Sequence, residues 1–497
     1  MTLEHAIEPL GPPARPGLDL SLPPNMPKAR FAGIYSELEL HRAALAAYTK
    51  PLFFWRKALV RSHDGRTLYD FARHTSSNLQ KLHGALRTGA FRFREAVEVT
   101  WNFNGKVRTI QIFPWEERIV DHLLYRTLSS RFQSAFSHHS YAYRVRGYGL
   151  DLCQRRIARG LAALPRPVWC VKRDVANFFP SIDHERLLAI LAEWIDPADY
   201  LFELLRQRVQ FQTRTNGELR TATLGVPFGT AIACFLANLY LTPLDRALET
   251  IPGLAYFRYA DDVLAFTADR ASAEQASARY EDVLRDLRLK GNLARSIDLR
   301  LAPDAAGAGA FAGGWRFRHL GIEFRENGSI GLSRDKERKI RNLFRFAFRR
   351  ARRKFRMAGS AEGRARLAVD IARRVVENGL RSVAIVDYYL KHVNDEAQLR
   401  LIDRWLAEEV LFRAFGGGHR KGNFRKMSFA RLREMGLPSL VYRRRLLQHG
   451  RLVSSFFRMR TERLIEREGR RLPGRKAFPP DPEAAAGKTP RGEGGRL

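Results

Sequence analysis

The chain has 497 residues, of which 86 are Lys or Arg and 52 are Asp or Glu, so its formal charge is +34 at pH 7. Hydrophobic residues make up 45% of the sequence, which excludes a wholly disordered chain and provides for several folded domains. So large a positive excess favours a polyanionic partner, most commonly nucleic acid, and a solvated basic surface is the alternative.

The sequence carries no signal for a membrane or for secretion. No apolar run approaches the roughly 20 residues that a membrane span needs. The opening MTLEHAIEPLGPPARPG lacks the basic and apolar segments of a secretory signal. Cys153, Cys170 and Cys234 form no C-x-x-C pair and fit a reducing compartment. We therefore expect a cytoplasmic protein without a membrane partner.

The first third of the chain reads as helices followed by a hairpin. Residues 1–30 are rich in Pro and Gly and predict a mobile tail. A mostly helical pattern covers 31–100. VEVTWNFNGKVRTIQIF then alternates around Asn104-Gly105, which indicates a β-hairpin. The following stretch predicts a helix with Pro114 near its start.

The middle of the chain predicts a buried strand over 168–175 and a helix that Asp183 caps. A glycine-rich turn leads into an apolar helix over 225–248. Two apolar runs over 254–267 predict a second hairpin, and ASAEQASARYEDVLRDLRL predicts a surface helix. FRHLGIEFRENGSIGLS is interpreted as a hairpin that turns at Asn327-Gly328.

Beyond residue 332 the pattern is helical and basic. FRFAFRRARRKFRMAG (344–359) predicts a helix with phenylalanines on one face and arginines on the other. GGGHRKGNFRK (416–426) is interpreted as a flexible basic loop, and a basic helical segment follows to 468. Tyr442 is interpreted as a core residue.

Three aspartates stand where carboxylates are costly. Asp174 ends an apolar strand, and Asp261 and Asp262 lie at the tip of an apolar hairpin. Buried acids are unfavourable unless they are paired or bind metal, and oxygen ligands suit Mg²⁺. Two such ions about 3.5–4 Å apart can stabilise both oxygens of a phosphoryl transfer. Ordinary turn chemistry at each position is the alternative.

The order of motifs from about residue 95 to 330 resembles the reverse transcriptases of the prokaryotic, group II intron-like lineage. The segments that carry this resemblance are RDVANFFPSIDH (173–184), GVPFGTAIACFLANLYLTPLD (225–245), RYADD (258–262), LRLKGNLARS (287–296), FRHLGIEF (317–324), KVRTIQIFPWEERIVDHLL (106–124) and SYAYRVRGYG (140–149).

The resemblance implies an α+β right-hand polymerase: fingers, a palm with an antiparallel sheet, a helical thumb and a basic helical extension. The expected division is a disordered tail over 1–30, N-terminal helices and fingers over 31–165, a palm with interleaved fingers elements over 166–330, the thumb over 331–415, the extension over 416–470 and a disordered tail over 471–497.

The resemblance also implies a metal site and a nucleotide site. Asp174 and Asp261 would bridge two Mg²⁺ (or Mn²⁺) ions, with Asp262 and the Val175 carbonyl as further ligands. Phe179 would pack under the sugar and favour dNTPs, or serve simply as core packing. The other implied nucleotide-binding residues are Lys106, Arg108, Gly229 and Arg295; an exposed strand charge is the alternative for Arg108.

Template and primer contacts are implied for a larger set. Its members are Gly225, Pro227, Phe228, Asn238, Arg349, Arg352, Arg353, Lys354, Arg420 and Lys421. Phe228 and Ala233-Cys234 depart from the residues usual in the family, and Arg295 stands nearest to the place of a Lys, so these contacts are less defined.

The resemblance implies an RNA template, dNTP substrates and a DNA product. The long basic extension favours a defence-associated enzyme that copies a dedicated noncoding RNA against phage. Diversity-generating and intron-type reverse transcriptases remain alternatives, as does a maturase-like RNA-binding protein without polymerase activity. A protein partner or a homo-oligomer stays open.

Overall fold

In the computed structural model of the chain, the described residues are 18–49, 61–62, 64–103, 106–144, 148–165, 168–215, 218–293, 296–301, 316–325, 329–377, 390–449 and 451–452. The predicted tail over 471–497 lies outside them. Contacts divide the chain into an N-terminal unit, Met1–Ala305, and a C-terminal unit, Ala306–Leu497. This division falls about 25 residues before the predicted boundary at 330.

The N-terminal unit combines helices with two sheets. Its helices are α1 Phe31–Ile34, α2 Glu37–Thr49, α3 Leu68–Arg73, α4 Thr75–Arg87, α5 Trp115–Arg131, α6 Leu150–Ala163, α7 Phe178–Ser181, α8 His184–Trp194, α9 Tyr200–Val209, α10 Ile232–Tyr240, α11 Thr242–Glu249 and α12 Arg270–Asp286. Its strands are β1 Ala96–Phe103, β2 Lys106–Ile112, β3 Val168–Arg173, β4 Gln212–Thr215, β5 Glu218–Thr221, β6 Ala255–Tyr259, β7 Asp262–Thr267 and β8 Ile297–Leu301.

The central sheet has the order β6-β7-β3-β8, and every neighbouring pair is antiparallel. Strands β3, β6 and β7 are largely buried and mostly apolar, and β7 is buried at every position after its first. The predicted strand at 168–175 and the predicted hairpin at 254–267 are both present.

A second sheet has the order β2-β1-β4-β5. The predicted hairpin of β1 and β2 is present, with Phe103 opposite Lys106 in register. Its turn, Asn104-Gly105, lies outside the described residues. The predicted helix at 225–248 is divided into α10 and α11, because Pro243 at the start of α11 cannot donate a backbone hydrogen bond.

Residues 18–30 are packed, so the prediction of a mobile tail over 1–30 is wrong for this part. Leu18, Leu20 and Leu22 pack on the main core. The Trp194 Nε1 group donates to the Leu20 carbonyl at 3.2 Å, and the buried Ala29 pairs with Ile195. The Pro- and Gly-rich composition is irregular but still supplies apolar side chains to the core.

A buried ion pair anchors helix α9 to α5. Arg208 is fully buried and donates to both oxygens of Asp121, at 2.8 and 2.9 Å. Its guanidinium lies 3.8 and 3.9 Å from the ring centroids of Phe93 and Phe113. Glu117 is a further buried acid, 3.3 Å from the same guanidinium.

The C-terminal unit has a helical core and a small sheet. Its helices are α13 Arg334–Arg350, α14 Arg352–Met357, α15 Ala361–Glu377, α16 Glu396–Ala414, a 3₁₀ turn at Gly422–Arg425, α17 Phe429–Glu434 and α18 Leu440–Gln448. Its strands, in the order β11-β10-β9, are β9 Arg316–His319, β10 Ile322–Arg325 and β11 Ile330–Leu332.

The sequence interpretation of the small sheet needs one correction. FRHLGIEF is a tight hairpin rather than one strand: Leu320 and Gly321 both have positive φ and form its two-residue turn. The later turn at Asn327-Gly328 lies outside the described residues, although β10 and β11 do pair.

The loop at 416–426 is folded rather than flexible. Asn423 is buried and donates to the Gly417 carbonyl at 3.1 Å, and Gly422–Arg425 form a 3₁₀ turn. Tyr442 is 63% exposed, so the core interpretation of this residue is wrong. Within the described parts of the chain, no helix is both long and apolar enough to cross a membrane.

Candidate active site

Asp261 and Asp262 are presented by a strained two-residue turn. Tyr259 of β6 pairs with Asp262 of β7, which leaves Ala260 and Asp261 at the tip. Ala260 has φ 59°, a left-handed conformation that costs a residue with a Cβ about 1–2 kcal/mol. Such a conformation persists only where surrounding contacts hold it.

The contacts that hold this turn come from Arg258. Its Nη1 donates to the Ala260 carbonyl at 3.0 Å. Its guanidinium also pairs with both oxygens of Asp245, at 2.6 and 2.5 Å. Arg258 and Asp245 are both fully buried, and Nη1 donates to Asn238 Oδ1 as well. A buried ion pair behind the turn therefore anchors its backbone.

Asp174 lies beside this turn. Arg173 at the end of β3 pairs with Val263 of β7, so the next residue, Asp174, lies level with Asp262 across the sheet. Asn292 holds Asp174 twice: its backbone amide donates to the Asp174 carbonyl at 2.7 Å, and its Nδ2 donates to Oδ2 at 2.9 Å. Asp174 is 3% exposed, so this hydrogen bond matters for orienting a buried carboxylate.

The negative charges of the aspartates affect the pKa values of two nearby tyrosines. Burial raises the pKa of Tyr280, and the negative charges of Asp174 and Asp261 raise it further. Burial also raises the pKa of Tyr143, with a contribution from Asp261. The Tyr280 hydroxyl is buried and has no hydrogen-bond partner among the described residues. Asp174 and Asp261 therefore act on the same buried surroundings.

The charge of Asp262 affects a residue on a different element. Burial raises the pKa of the Cys153 thiol on α6, and the negative charge of Asp262 contributes to this rise.

The donor set fits a magnesium ion with few protein ligands. Asp174 and Asp261 provide two carboxylates, which is what Mg²⁺ usually takes beside substrate phosphates. Among the described residues, no group of three or more His, Cys, Asp and Glu side chains is placed to hold one ion. Convergence of all three aspartates on paired metals thus stays a proposal. Val175, the other implied ligand, pairs with Gly291.

Phe179, on the short helix α7, lies in an aromatic cluster. It is partly buried, and its ring makes edge contacts with Tyr143 and Phe228, with centroids 6.1 and 5.6 Å away. The Phe179 carbonyl accepts from the Val226 amide at 3.0 Å, so the cluster is tied to the glycine turn. Both the sugar contact and core packing are compatible with this position.

Contacts within the protein explain why glycines occupy two positions of this turn. Gly225 has φ 83°, and a Cβ there would lie 2.9 Å from Pro180 Cα. Gly229 has φ 106°, and a Cβ there would lie 3.2 Å from a side-chain carbon of Ile110 on β2. Close approach of protein segments explains both glycines without a nucleotide.

Pro227 and Asn238 are buried and make hydrogen bonds within the protein. Pro227 is buried, and its carbonyl accepts from the Thr230 amide and hydroxyl, at 3.2 and 2.9 Å. Asn238 is 1% exposed, and its Oδ1 accepts from Ser140 and Arg258. Asn238 therefore belongs to the network behind the turn, and its implied template contact stays a prediction.

The implied nucleotide contacts are only partly covered by the structure. Lys106 and Arg108 lie on β2, the strand whose Ile110 reaches Gly229, and only their backbone positions are described. Arg295 lies outside the described residues.

The basic helices of the C-terminal unit have the predicted two faces. Phe344, Phe348 and Phe355 are 2%, 1% and 9% exposed. The exposed cations on the other side are Arg349, Arg352, Arg353 and Lys354. None of these four cations forms an ion pair with an acid among the described residues. Their charge is therefore available to an external anion.

Arg420 is engaged within the protein. Its Nη1 donates to the buried Glu409 at 2.5 Å, and its guanidinium lies 5.1 Å from the Phe412 ring. Lys421 lines a cavity. Of the pair implied to contact nucleic acid, Arg420 therefore has a structural role.

Several site residues escaped the sequence interpretation. Asn292 lacked a signal, because an amide after a glycine is common in loops. Arg258 did carry one: it is the single charge in the otherwise uncharged strand AYFRY, which indicates a buried partner such as Asp245.

Comparison with known families agrees with this geometry. Residues 99–299 match the family model "Reverse transcriptase (RNA-dependent DNA polymerase)". This stretch begins within β1 and ends within β8, so it covers most of the β1–β2 hairpin, most of the central sheet and all three aspartates. Reverse transcriptases generally use divalent metal ions.

Curated relatives are similar over about a third of the chain. A segment of 178 residues is 28% identical to "Putative COX1/OXI3 intron 2 protein" of Saccharomyces cerevisiae, covering 35% of this chain and 20% of that protein. "Uncharacterized 91 kDa protein in cob intron" of Schizosaccharomyces pombe is 23% identical over 174 residues, covering 35% and 21%. "Protein YkfC" of Escherichia coli is 25% identical over 232 residues, covering 38% and 59%.

The chain thus spans between a fifth and three fifths of the length of these relatives. The family match falls on the region that folds into the central sheet. Over residues 99–299 this mixed α/β structure is similar to the reverse transcriptase family, and the chain is weakly similar to two proteins named after introns.

Proposed function

We propose that the chain is an RNA-directed DNA polymerase with a right-hand arrangement of fingers, palm and thumb. The observation that carries the proposal is the register of the central sheet. Arg173 opposite Val263 brings Asp174 level with the turn of Asp261 and Asp262. Substrates would be dNTPs on an RNA template, and the product DNA.

In this proposal the aspartates hold two Mg²⁺ ions, which supply charge stabilisation for the transferred phosphoryl group. Asp174 and Asp261 carry the ligand oxygens, and Asn292 fixes one oxygen of Asp174. Asp262 and the Val175 carbonyl are further proposed ligands. Arg258 keeps the Asp261 turn in its strained conformation.

Nucleotide binding is assigned to the elements around the glycine turn. Arg108, with Lys106 as a second candidate, would bind the triphosphate, because a guanidinium pairs bidentately with phosphate oxygens. Phe179 would contact the sugar, beside Gly229, and Arg295 would bind near the leaving pyrophosphate.

Duplex binding is assigned to the exposed cations of α13 and α14. Such contacts to phosphates give affinity without sequence choice and weaken with salt. Two further contacts with nucleic acid are proposed, at Phe228, whose ring packs against Phe179, and at Lys421. The proposal locates the enzyme in the cytoplasm, where its free cysteines would stay reduced.

The direct test is incorporation of dTTP on a poly(rA)–oligo(dT) template with Mg²⁺. The variant Asp261→Ala/Asp262→Ala should lose incorporation and keep its unfolding transition, whereas Asp282→Ala, an exposed acid on α12, should behave as wild type. Incorporation by the double variant at the wild-type rate would show that these carboxylates are not catalytic.

The sugar contact has a separate test. Phe179→Ala should admit rNTPs if the ring excludes a 2′-hydroxyl. If the ratio of dNTP to rNTP incorporation is unchanged while the variant remains active, Phe179 serves only in packing.

The biological role is proposed as copying a dedicated noncoding RNA in antiphage defence. A second candidate is an intron-type enzyme or an RNA-binding maturase-like protein, because two relatives are named as intron proteins. Sequencing the RNA that copurifies with the chain distinguishes these roles. Tight, salt-sensitive RNA binding without incorporation by the wild type on any template would favour the maturase-like protein.

A further inference from the structure

The C-terminal unit contains a cavity of about 1050 Å³ between α16, the 3₁₀ turn and α17–α18. We call it the C-terminal cavity; its apolar wall is formed by Phe424, Phe429, Leu437, Val441 and Tyr442. Its size lies at the upper end of small-molecule sites, which span about 300–1,000 Å³. The exposed Tyr442 ring makes no hydrogen bond with the described residues.

The rim of the C-terminal cavity is cationic. Its basic residues are Arg400, Arg404, Lys421, Arg433 and Arg445. Three of them have acidic partners in Glu396 and Glu408.

Two rim cations differ from these three. Arg433 lies over the Phe429 ring, with 5.0 Å from its guanidinium carbon to the ring centroid. Within the described parts of the chain, neither Arg433 nor Lys421 pairs with an acid. The rim therefore offers two positive charges to an external ligand, beside aromatic faces.

The acid that lines the cavity is already used by the fold. Asp403 accepts from the Ser439 hydroxyl at 2.6 Å and from the Leu440 amide at 2.8 Å. These bonds fix the start of α18, so the carboxylate is satisfied there, and the surrounding charge remains positive.

We propose that the C-terminal cavity binds an unpaired nucleotide of a single-stranded nucleic acid, with its base against the aromatic wall and its phosphates on Arg433 and Lys421. Aromatic faces stack with any base, and cations beside them follow the phosphate backbone. The cavity belongs to the C-terminal unit and the aspartates to the N-terminal unit, and the inference does not depend on polymerase activity.

Charge selects this occupant over two others. A second copy of the chain would bring a further formal charge of +34 to a positive rim. Residues 453–497 contain more basic than acidic side chains, so they too are disfavoured by the rim. An acidic peptide would satisfy the cations, but it would not need the aromatic wall.

The test places a photo-crosslinker in the cavity of the full-length chain. Tyr442→p-benzoylphenylalanine keeps an aromatic ring at an exposed position, so folding is preserved. The probe is a labelled 12-mer of oligo(rA), irradiated at about 0.3 M salt to weaken contacts made by phosphate alone. Leu401→p-benzoylphenylalanine, exposed on α16, is the matched control.

Label should transfer to the chain from position 442 and not from 401. An oligomer of the same length with abasic sugars should transfer about fivefold less, the smallest loss expected for one base–aromatic stack. Arg433→Gln should also reduce transfer, whereas Arg366→Gln on α15 should not.

Three results would overturn the inference. They are crosslinking of position 442 to peptides from 453–497, crosslinking to a second copy, and failure to crosslink oligo(rA) above the 401 control. None of them bears on dTTP incorporation, so failure here leaves the proposed polymerase activity to its own test.

Discussion

Replacing Arg258 should damage both stability and catalysis, and the two effects can be separated. Arg258 donates to Asp245, Asn238 and the Ala260 carbonyl from a fully buried position. Removing one member of a buried ion pair costs about 3–5 kcal/mol. This is a large part of the free energy of unfolding of a typical protein, which is about 5–15 kcal/mol. Arg258→Met should therefore fold with a much reduced unfolding free energy.

A second substitution restores stability without restoring the anchor. In Arg258→Met/Asp245→Asn the uncompensated charge is gone, and the amide oxygen can still accept from Tyr256, which donates to Asp245 at 2.6 Å. This variant should recover most of the lost stability, as measured by urea unfolding. The Ala260 carbonyl remains unanchored, so the Asp261 turn can relax.

The expected kinetic effect is about a 100-fold slower single-nucleotide incorporation, because misplacing a reactive group by about 1 Å has consequences of that order. Arg208→Met/Asp121→Asn removes another buried pair and is the control for general destabilisation. If Arg258→Met/Asp245→Asn incorporates dTTP at the wild-type rate, the anchoring role is refuted.

Three further predictions concern single residues. Asn292→Ala removes a hydrogen bond to a carboxylate, of about 1.5–3 kcal/mol, and should raise the Mg²⁺ concentration for half-maximal incorporation; an unchanged Mg²⁺ titration would contradict the orienting role. Gly225→Ala should destabilise more than Gly253→Ala, since both have positive φ but only Gly225 lacks room for a Cβ; equal urea midpoints would disprove this. Burial raises the pKa of Glu117 to about 7, so its folded form holds the proton more tightly than the unfolded chain, and stability should fall as pH rises from about 4.5 to 7. The free energy of unfolding of Glu117→Gln, relative to that of the wild type, should rise by about 3 kcal/mol between pH 4 and 8, at roughly 1.4 kcal/mol per pKa unit. Parallel plots of unfolding free energy against pH for the two proteins would contradict the raised pKa.

The sequence predicted the local elements of the site well. The hairpin around Asp261 and the strand before Asp174 both follow from apolar runs that end in acids, and Asp183 caps α8 as expected, accepting from Arg186 at 3.0 Å. These features depend on neighbours along the chain, which a single sequence displays.

The features of the site that could not be predicted depend on contacts between residues that are distant along the chain. Asn292 reaches Asp174 across 118 positions, and Asn238 faces Arg258 rather than solvent. A polar residue in an apolar helix can make a surface contact or belong to a buried network, and only packing decides between them. The same holds for Gly225, whose neighbour is Pro180.

The packed segment before α1 also affects how this protein should be prepared. A shortened chain that began at residue 31 would remove Leu18, Leu20 and Leu22 from the core and take away the acceptor of the Trp194 indole. Newly wetted apolar surface of this kind promotes aggregation. Trimming for crystallisation should therefore stop before residue 18, and an affinity tag belongs ahead of that point.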